Sequence, residues 1–222
     1  MEQTPAAHVV VAIDGPAASG KSTVARTLAR RLGYAYVNTG AMYRAVTWHA
    51  LRNGGVQGDE QVIALLEKSK LECAITEGES LFTINGEDPT EYLLIESVNQ
   101  NVSRVSAIPE VRRQLVALQR ETAKDRDVVM EGRDIGSAVF PETPYKFYID
   151  ASAEVRAQRR EKQGLQDAIG QRDRQDSSRR TSPLVIAEDS HVIDSSHLTI
   201  DGVVGEVIGR LKLKGLVLPA GV

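Results

Sequence analysis

His8-Val-Val-Val-Ala-Ile-Asp-Gly-Pro-Ala-Ala-Ser-Gly-Lys-Ser22 is the stretch that decides the fold. Its first part, His8 to Ile13, is an unbroken apolar run rich in β-branched residues, which suits a strand buried on both faces, as in a parallel sheet. Its second part, Gly15-Pro16-Ala17-Ala18-Ser19-Gly20-Lys21-Ser22, has the spacing G-x-x-x-x-G-K-[ST]. The chemistry requires these residue types. Glycine admits unusual backbone dihedrals, so successive N–H groups can turn toward one point where phosphate oxygens sit. Val24, Leu28 and Leu32 then share one helical face, and the positive end of that helix adds to the anion site. Lys21 is expected to reach the β- and γ-phosphates and the Ser22 hydroxyl to ligate Mg²⁺, with Thr23 in the same first turn. The stretch reads as strand, phosphate loop and helix, and its ligand as a nucleoside triphosphate.

Outward from this unit the alternation continues. Ala35–Val37 is a short strand followed by a helix from about Gly40 to Arg52. Val128–Met130 is a strand ending at Glu131, Tyr145–Ile149 one ending at Asp150, and His191–Ile193 one ending at Asp194. Helices are predicted from Ala153 and over about 201–213. Strands alternating with helices imply a parallel sheet covered on both faces. Residues 71–90 break the rhythm: Leu71–Thr76 and Leu81–Ile84 are short strands joined by Glu77-Gly78-Glu79, and Asn85-Gly86 is a tight-turn signal. A small antiparallel sheet inserted into the unit is the expectation. Two helices should follow, about 91–105 and 109–124, with Pro109 in a first turn.

The bulk numbers are those of an ordinary globular chain. There are 222 residues, 41 % hydrophobic and 26 % charged, with a net charge of −3. That length accommodates one large domain with an insert, and the charge gives no sign of a nucleic-acid or membrane-surface binder. A single cysteine, Cys73, excludes a disulfide framework and suits a reducing compartment. The first apolar run is too short for a signal core or a membrane span. Residues 1–7 read as a flexible tail, and the chain as soluble and cytoplasmic. The four histidines show no metal spacing.

The phosphate loop is shared by motors, helicases, GTPases and kinases. A guanine-reading N-K-x-D segment is absent, and Val128-Val-Met-Glu131 ends in one acid rather than the pair common in helicases. A small-molecule kinase fits the length. Such an enzyme needs a second anion site for its acceptor and arginines for the transferring phosphoryl group. Residues 156–180 hold Arg156, Arg159, Arg160, Arg172, Arg174, Arg179 and Arg180, whose planar forks match phosphate oxygens. Gly164 and Gly170 are candidate hinges of a lid over 156–180 that closes and excludes water.

Together these residues resemble the nucleoside monophosphate kinases, and within them the cytidylate kinase family. The resemblance covers nearly the whole chain. Its carriers are the phosphate loop, Asn38-Thr-Gly-Ala-Met-Tyr-Arg44, Glu131-Gly-Arg-Asp-Ile-Gly136 with Val139-Phe-Pro141, Arg172-Asp173 through Asp176 to Arg179 before Ser182-Pro-Leu184, and the insert at 71–90. It implies a three-layer α/β fold with a central parallel five-stranded sheet, a small antiparallel insert and a mobile lid. The core would span 1–55 and 125–222 and the acceptor-binding insert 56–124. It further implies transfer of a phosphoryl group from ATP, with Mg²⁺, to CMP or dCMP in a monomer.

By the same resemblance Thr39, Arg44 and Arg133 hold the acceptor phosphate, with Tyr43 in the site wall. Ser103, Arg112 and Asp134 form the base-reading set. Cytosine offers a 4-amino donor and an N3 acceptor, so Ser103 and Asp134 can accept from the amino group while Arg112 donates to N3 and O2. Arg172 and Asp176 would read the sugar hydroxyls. Arg179, with Arg156, Arg159 or Arg160, would surround the transferring phosphoryl beside Lys21. One helix cannot aim all of Arg156, Arg159 and Arg160 at one site, which leaves their directions open. Glu131, where the family often has Asp, is the expected orienter of Mg²⁺-bound water. Asn38 also stands where Asp is frequent, and Thr39 keeps the hydroxyl of a common Ser.

Overall fold

Residues 8–162, 169–219 and 221 are described by the computed structural model of the chain. The predicted tail over 1–7 lies outside them, as does 163–168, including Gly164. Strand β1 (Val10–Asp14) is buried throughout and shows why the opening run is apolar on both faces. Val10 and Ala12 enter one hydrophobic core, Val11 and Ile13 the other. This is the two-residue alternation of a strand with helices on both sides.

The parallel core is β2 (Ala35–Asn38), β5 (Val128–Glu131), β1, β6 (Tyr145–Asp150) and β7 (His191–Asp194), in that spatial order. On one face lie α1 (Lys21–Leu32) and α8 (Ile200–Leu213), sealed by Val24, Leu28, Val204 and Val207. On the other lie α2 (Thr39–Arg52), α4 (Glu96–Val105) and α5 (Pro109–Thr122), around Met42, Val46, Val102 and Leu115. The three layers, the β/α alternation of the core and the Pro109 helix start agree with the sequence reading, while Asp59–Leu66 adds a helix it did not include and the helix expected over about 91–105 begins at Glu96.

The sheet differs from the expectation. The insert does not form a separate sheet. β3 (Leu71–Thr76) and β4 (Glu79–Ile84) pair antiparallel, and β4 then joins β2, so the sheet has seven strands rather than five. The outer edge of β2 would otherwise present unpaired backbone groups. Instead Tyr36 N donates to Gly78 O at 2.8 Å and Asn38 N to Ser80 Oγ at 3.1 Å. The hairpin itself turns where the sequence joined its strands, at Glu77-Gly78, both with positive φ, and Asn85-Gly86 makes the expected tight turn, closed by one bridge, Ile84 to Glu87.

The remaining elements are α3 (Asp59–Leu66), α6 (Ala153–Lys162) and α7 (Ile169–Ser177), a 3₁₀ turn at Thr90–Tyr92 and a π-helical turn at Ile135–Val139. Among the described residues no helix is long and apolar enough to cross a membrane.

Candidate active site

Each of the five strands of the parallel core ends in a polar residue at the same edge of the sheet: Asp14, Asn38, Glu131, Asp150 and Asp194. Ligands of open α/β sheets bind at this edge. The phosphate loop leaves β1 there. Gly15 has φ +150°, and a Cβ on it would lie 2.1 Å from the carbonyl oxygen of Ile149, so only glycine fits between the loop and β6. Ala18 (φ +59°) and Gly20 (φ +90°) are also left-handed, the curled backbone that gathers N–H groups into an anion cradle. Lys21, the first residue of α1, is buried; its Nζ donates to Pro16 O at 3.0 Å and stands 4.0 Å from Glu131 Oε2. Ser22 Oγ donates to Glu131 Oε1 at 2.7 Å, and Tyr36 OH donates to the same oxygen at 3.3 Å. Burial and the neighbouring Glu131 carboxylate push the Tyr36 phenol far above its ordinary range.

A cleft of about 710 Å³ runs from this loop to the α2–α4 side. Six cationic side chains line it (Lys21, Arg26, Arg44, Arg133, Arg160, Arg179) against the carboxylates Glu131, Asp134 and Asp176, although the chain as a whole is −3. Its electrostatic character suits an anion with several charges. Thr39 opens α2, and Asn38 caps that helix by accepting from Ala41 N at 3.1 Å. Thr39 Oγ1 donates to Glu131 O at 2.8 Å, which joins the ends of β2 and β5. Arg44 Nη1 donates to Leu93 O at 2.9 Å and to Asn99 Oδ1 at 2.6 Å.

Farther in, Arg112 pairs with Asp134, the two being 2 % and 4 % exposed. Burial pushes the Asp134 carboxyl above its ordinary range, while the charges of Arg112, Arg179 and Arg133 pull it back. The Arg112 guanidinium also lies 5.5 Å over the Tyr43 ring, whose phenol burial raises to about 12. The Nε donors of Arg112 and Arg179 are buried with no hydrogen-bond partner among the described residues, an arrangement that an acceptor atom of a bound ligand would complete.

Helices α6 and α7 bring further charged side chains to the site. Asp176 collects Arg133 Nε at 3.1 Å, Ser103 Oγ at 3.4 Å and the Arg179 guanidinium. Of the three α6 arginines, Arg160 lines the cleft. Arg156 turns to Ala17 O (3.3 Å), Ala151 O (3.1 Å) and Asp173. Arg159 donates to Ser19 O and Ser195 Oγ, each at 3.0 Å, and to Ser195 O at 2.8 Å. Both donate to carbonyls of the phosphate loop, and neither is among the residues that line the cleft. The Arg172 side chain lies outside the described residues.

Sequence reasoning passed over four residues near the site. Asn99 orients Arg44. Ser106 lines the cleft and donates to Ser103 O at 3.0 Å. Asp173 Oδ1 accepts from Ala17 N in the phosphate loop at 3.3 Å. Asp14 accepts from Ile135 N and Gly136 N, both at 2.8 Å, and burial pushes its carboxyl up to about 7 against those two bonds. Of the four, Asp14 alone left a readable signal, a lone acid closing an apolar strand.

Comparison with known proteins gives the family. The family model described as Cytidylate kinase matches residues 11–213. The chain is 45 % identical to a cytidylate kinase of Ligilactobacillus salivarius over 91 % of this chain and 96 % of that protein. It is 44 % identical to one of Limosilactobacillus fermentum (92 % and 96 %) and 42 % identical to one of Streptococcus pneumoniae (90 % and 95 %).

Proposed function

This chain belongs to the cytidylate kinase family, and from that premise we propose that it transfers the γ-phosphoryl group of ATP to CMP, and to dCMP, giving CDP or dCDP and ADP. The observation that carries the reading is one cleft that joins the phosphate loop, from Ala17 to Ser22, to Asp134, the cleft-lining member of the buried Arg112–Asp134 pair. One end of it suits a triphosphate and the other a base with an amino donor beside ring acceptors.

In this reading the donor phosphates lie on the N–H groups of Gly15–Thr23, with Lys21 at the β- and γ-oxygens. Thr39, Arg44 and Arg133 hold the acceptor phosphate. Ser103, Arg112 and Asp134 read cytosine, and Tyr43 walls the pocket. Arg172 and Asp176 take the sugar hydroxyls. Uracil reverses the donor and acceptor edges and would leave buried groups unpaired, a loss of roughly 1–3 kcal/mol for each.

No side chain attacks phosphorus. The acceptor phosphate oxygen attacks in line while Lys21, Arg160 and Arg179 hold the oxygens on which charge gathers. Arg156 and Arg159 support the cradle from its outer side. The segment 56–124 serves as the acceptor-binding unit and 156–180 as the lid.

Mg²⁺ fits the donor set. Ser22 Oγ, a hard oxygen beside the loop, would ligate the ion directly, and Glu131, whose Oε1 accepts from Ser22 Oγ at 2.7 Å, would act through ion-bound water. Among the described residues there is no cluster of three or more His, Cys, Asp or Glu that would make an all-protein cage, which matches an ion held largely by substrate phosphates and water. When bound it neutralises phosphate charge. A monomer in the cytoplasm completes the reading.

A coupled assay over CMP, dCMP, UMP, AMP and GMP tests it. CMP and dCMP should turn over far faster than the rest. No turnover with any monophosphate would refute the kinase reading, and equal rates with CMP and UMP the base-reading set.

A further inference from the structure

We propose that Asp14 is a positioning residue that holds Arg133 and Asp134 in register with the phosphate loop, a role that rests on the cytidylate kinase reading above. Nothing in that reading uses Asp14. It is the last residue of β1, immediately before Gly15, and is 6 % exposed. Arg133 and Asp134 occupy the short turn after β5. Both ends of that turn are tied to the end of β1. Gly132 N donates to Ile13 O at 3.0 Å on one side. On the other, Ile135 N donates to Asp14 Oδ1 and Gly136 N to Asp14 Oδ2, each at 2.8 Å.

The two cleft-facing residues are thus bracketed by three hydrogen bonds to consecutive residues of the strand from which the phosphate loop departs. The turn has no slack: a Cβ at Gly132 would lie 2.7 Å from both Thr39 Oγ1 and Ile135 Cδ1.

A carboxylate is the side chain this geometry asks for. It offers an acceptor oxygen to each of two adjacent N–H donors. An asparagine of the same shape satisfies one donor and sets its own amide N–H against the other. The neighbouring charges are Lys21 from α1 and Asp134 from the turn itself. Keeping an acid in so buried a place disfavours the charged form, as its raised pKa of about 7 records. The compensation is a fixed distance between donor and acceptor anchors. A displacement of about 1 Å between reacting groups costs roughly 10²-fold in rate.

The test is Asp14→Asn in the full chain. It is read by kcat and KM for CMP, by equilibrium binding of a non-hydrolysable ATP analogue, and by Tm. The expected result is a CMP KM raised about 10-fold and kcat lowered about 10- to 100-fold, with analogue affinity within about threefold of wild type. CMP constants within twofold of wild type would overturn the proposal. So would an analogue affinity that falls in step with that for CMP, since that would mean general damage to the loop. If Asp14→Asn does not fold, Asp14→Ser, which leaves space for a bridging water, is judged by the same criteria. A wild-type protein inactive on CMP would overturn the functional reading and this proposal together, whereas an active wild type with an unaffected variant overturns the proposal alone.

Discussion

Replacing Asp134 with alanine separates what the buried pair does for stability from what it does for substrate. Arg112 is 2 % exposed and Asp134 4 %, so Asp134→Ala leaves a guanidinium inside the protein without its counter-charge. Breaking such a pair costs roughly 3–5 kcal/mol. For a chain of this size each kcal/mol moves Tm by about 2–4 °C, so Tm should fall by roughly 6–20 °C. The variant should also raise KM for CMP. Loss of a hydrogen bond to a charged group is worth about 1.5–3 kcal/mol, or roughly 10- to 150-fold, with ATP affinity little changed. Calorimetry and steady-state kinetics on one preparation give both numbers. The double change Arg112→Met with Asp134→Leu should restore much of the lost stability, because an apolar pair of similar volume replaces a desolvated ion pair, yet should not restore CMP affinity. An unchanged CMP KM in Asp134→Ala would refute the base-reading role. A double variant that regained CMP affinity would show that the pair serves folding alone.

Further outcomes follow from the same geometry. Lys21→Ala should lower kcat by about 10²- to 10³-fold, as measured in the coupled assay, because it removes a preorganised cation from the phosphoryl oxygens. Arg160→Ala should reduce kcat in the same assay, whereas Arg159→Ala, which frees Ser19 O and Ser195, should chiefly weaken ATP-analogue binding in an equilibrium titration. The pH dependence of stability should carry the mark of Asp14. Burial raises its folded-state pKa to about 7, above the ordinary carboxylate range near 4, so the native state binds a proton that the unfolded chain lacks between these values. Its contribution is therefore fully present below about pH 4 and lost as pH rises through 7, an amount of up to about 4 kcal/mol. Denaturant melts at pH 5 and pH 8 should show wild type losing stability relative to Asp14→Asn at the higher pH.

The strand–loop–helix unit and the β/α alternation were legible because they rest on local rules: apolar runs, glycine at forced dihedrals, Pro109 at a helix start. The docking of β4 on β2 was not legible, since edge pairing joins Tyr36 to Gly78 across 42 positions and depends on which edge stands open. The direction of the lid arginines was undetermined for a related reason. Arg156, Arg159 and Arg160 are equivalent in composition, and only the packing of α6 against Ala17, Ser19 and Ser195 distinguishes them. The residues proposed for the acceptor were quoted as motifs, but their supports, Asn99 behind Arg44 and Asp14 behind Arg133–Asp134, act through tertiary contacts. A sequence shows the first kind of residue through its type and the second only as an unexplained polar group in an apolar setting.

A crystal structure with CMP bound tests the central claim most directly. The account predicts the cytosine ring against Ser103, Arg112 and Asp134, with the phosphate among Thr39, Arg44 and Arg133 and directed at the loop Gly15–Ser22. CMP seated with its phosphate in that loop, or with its base away from the Arg112–Asp134 pair, would contradict it.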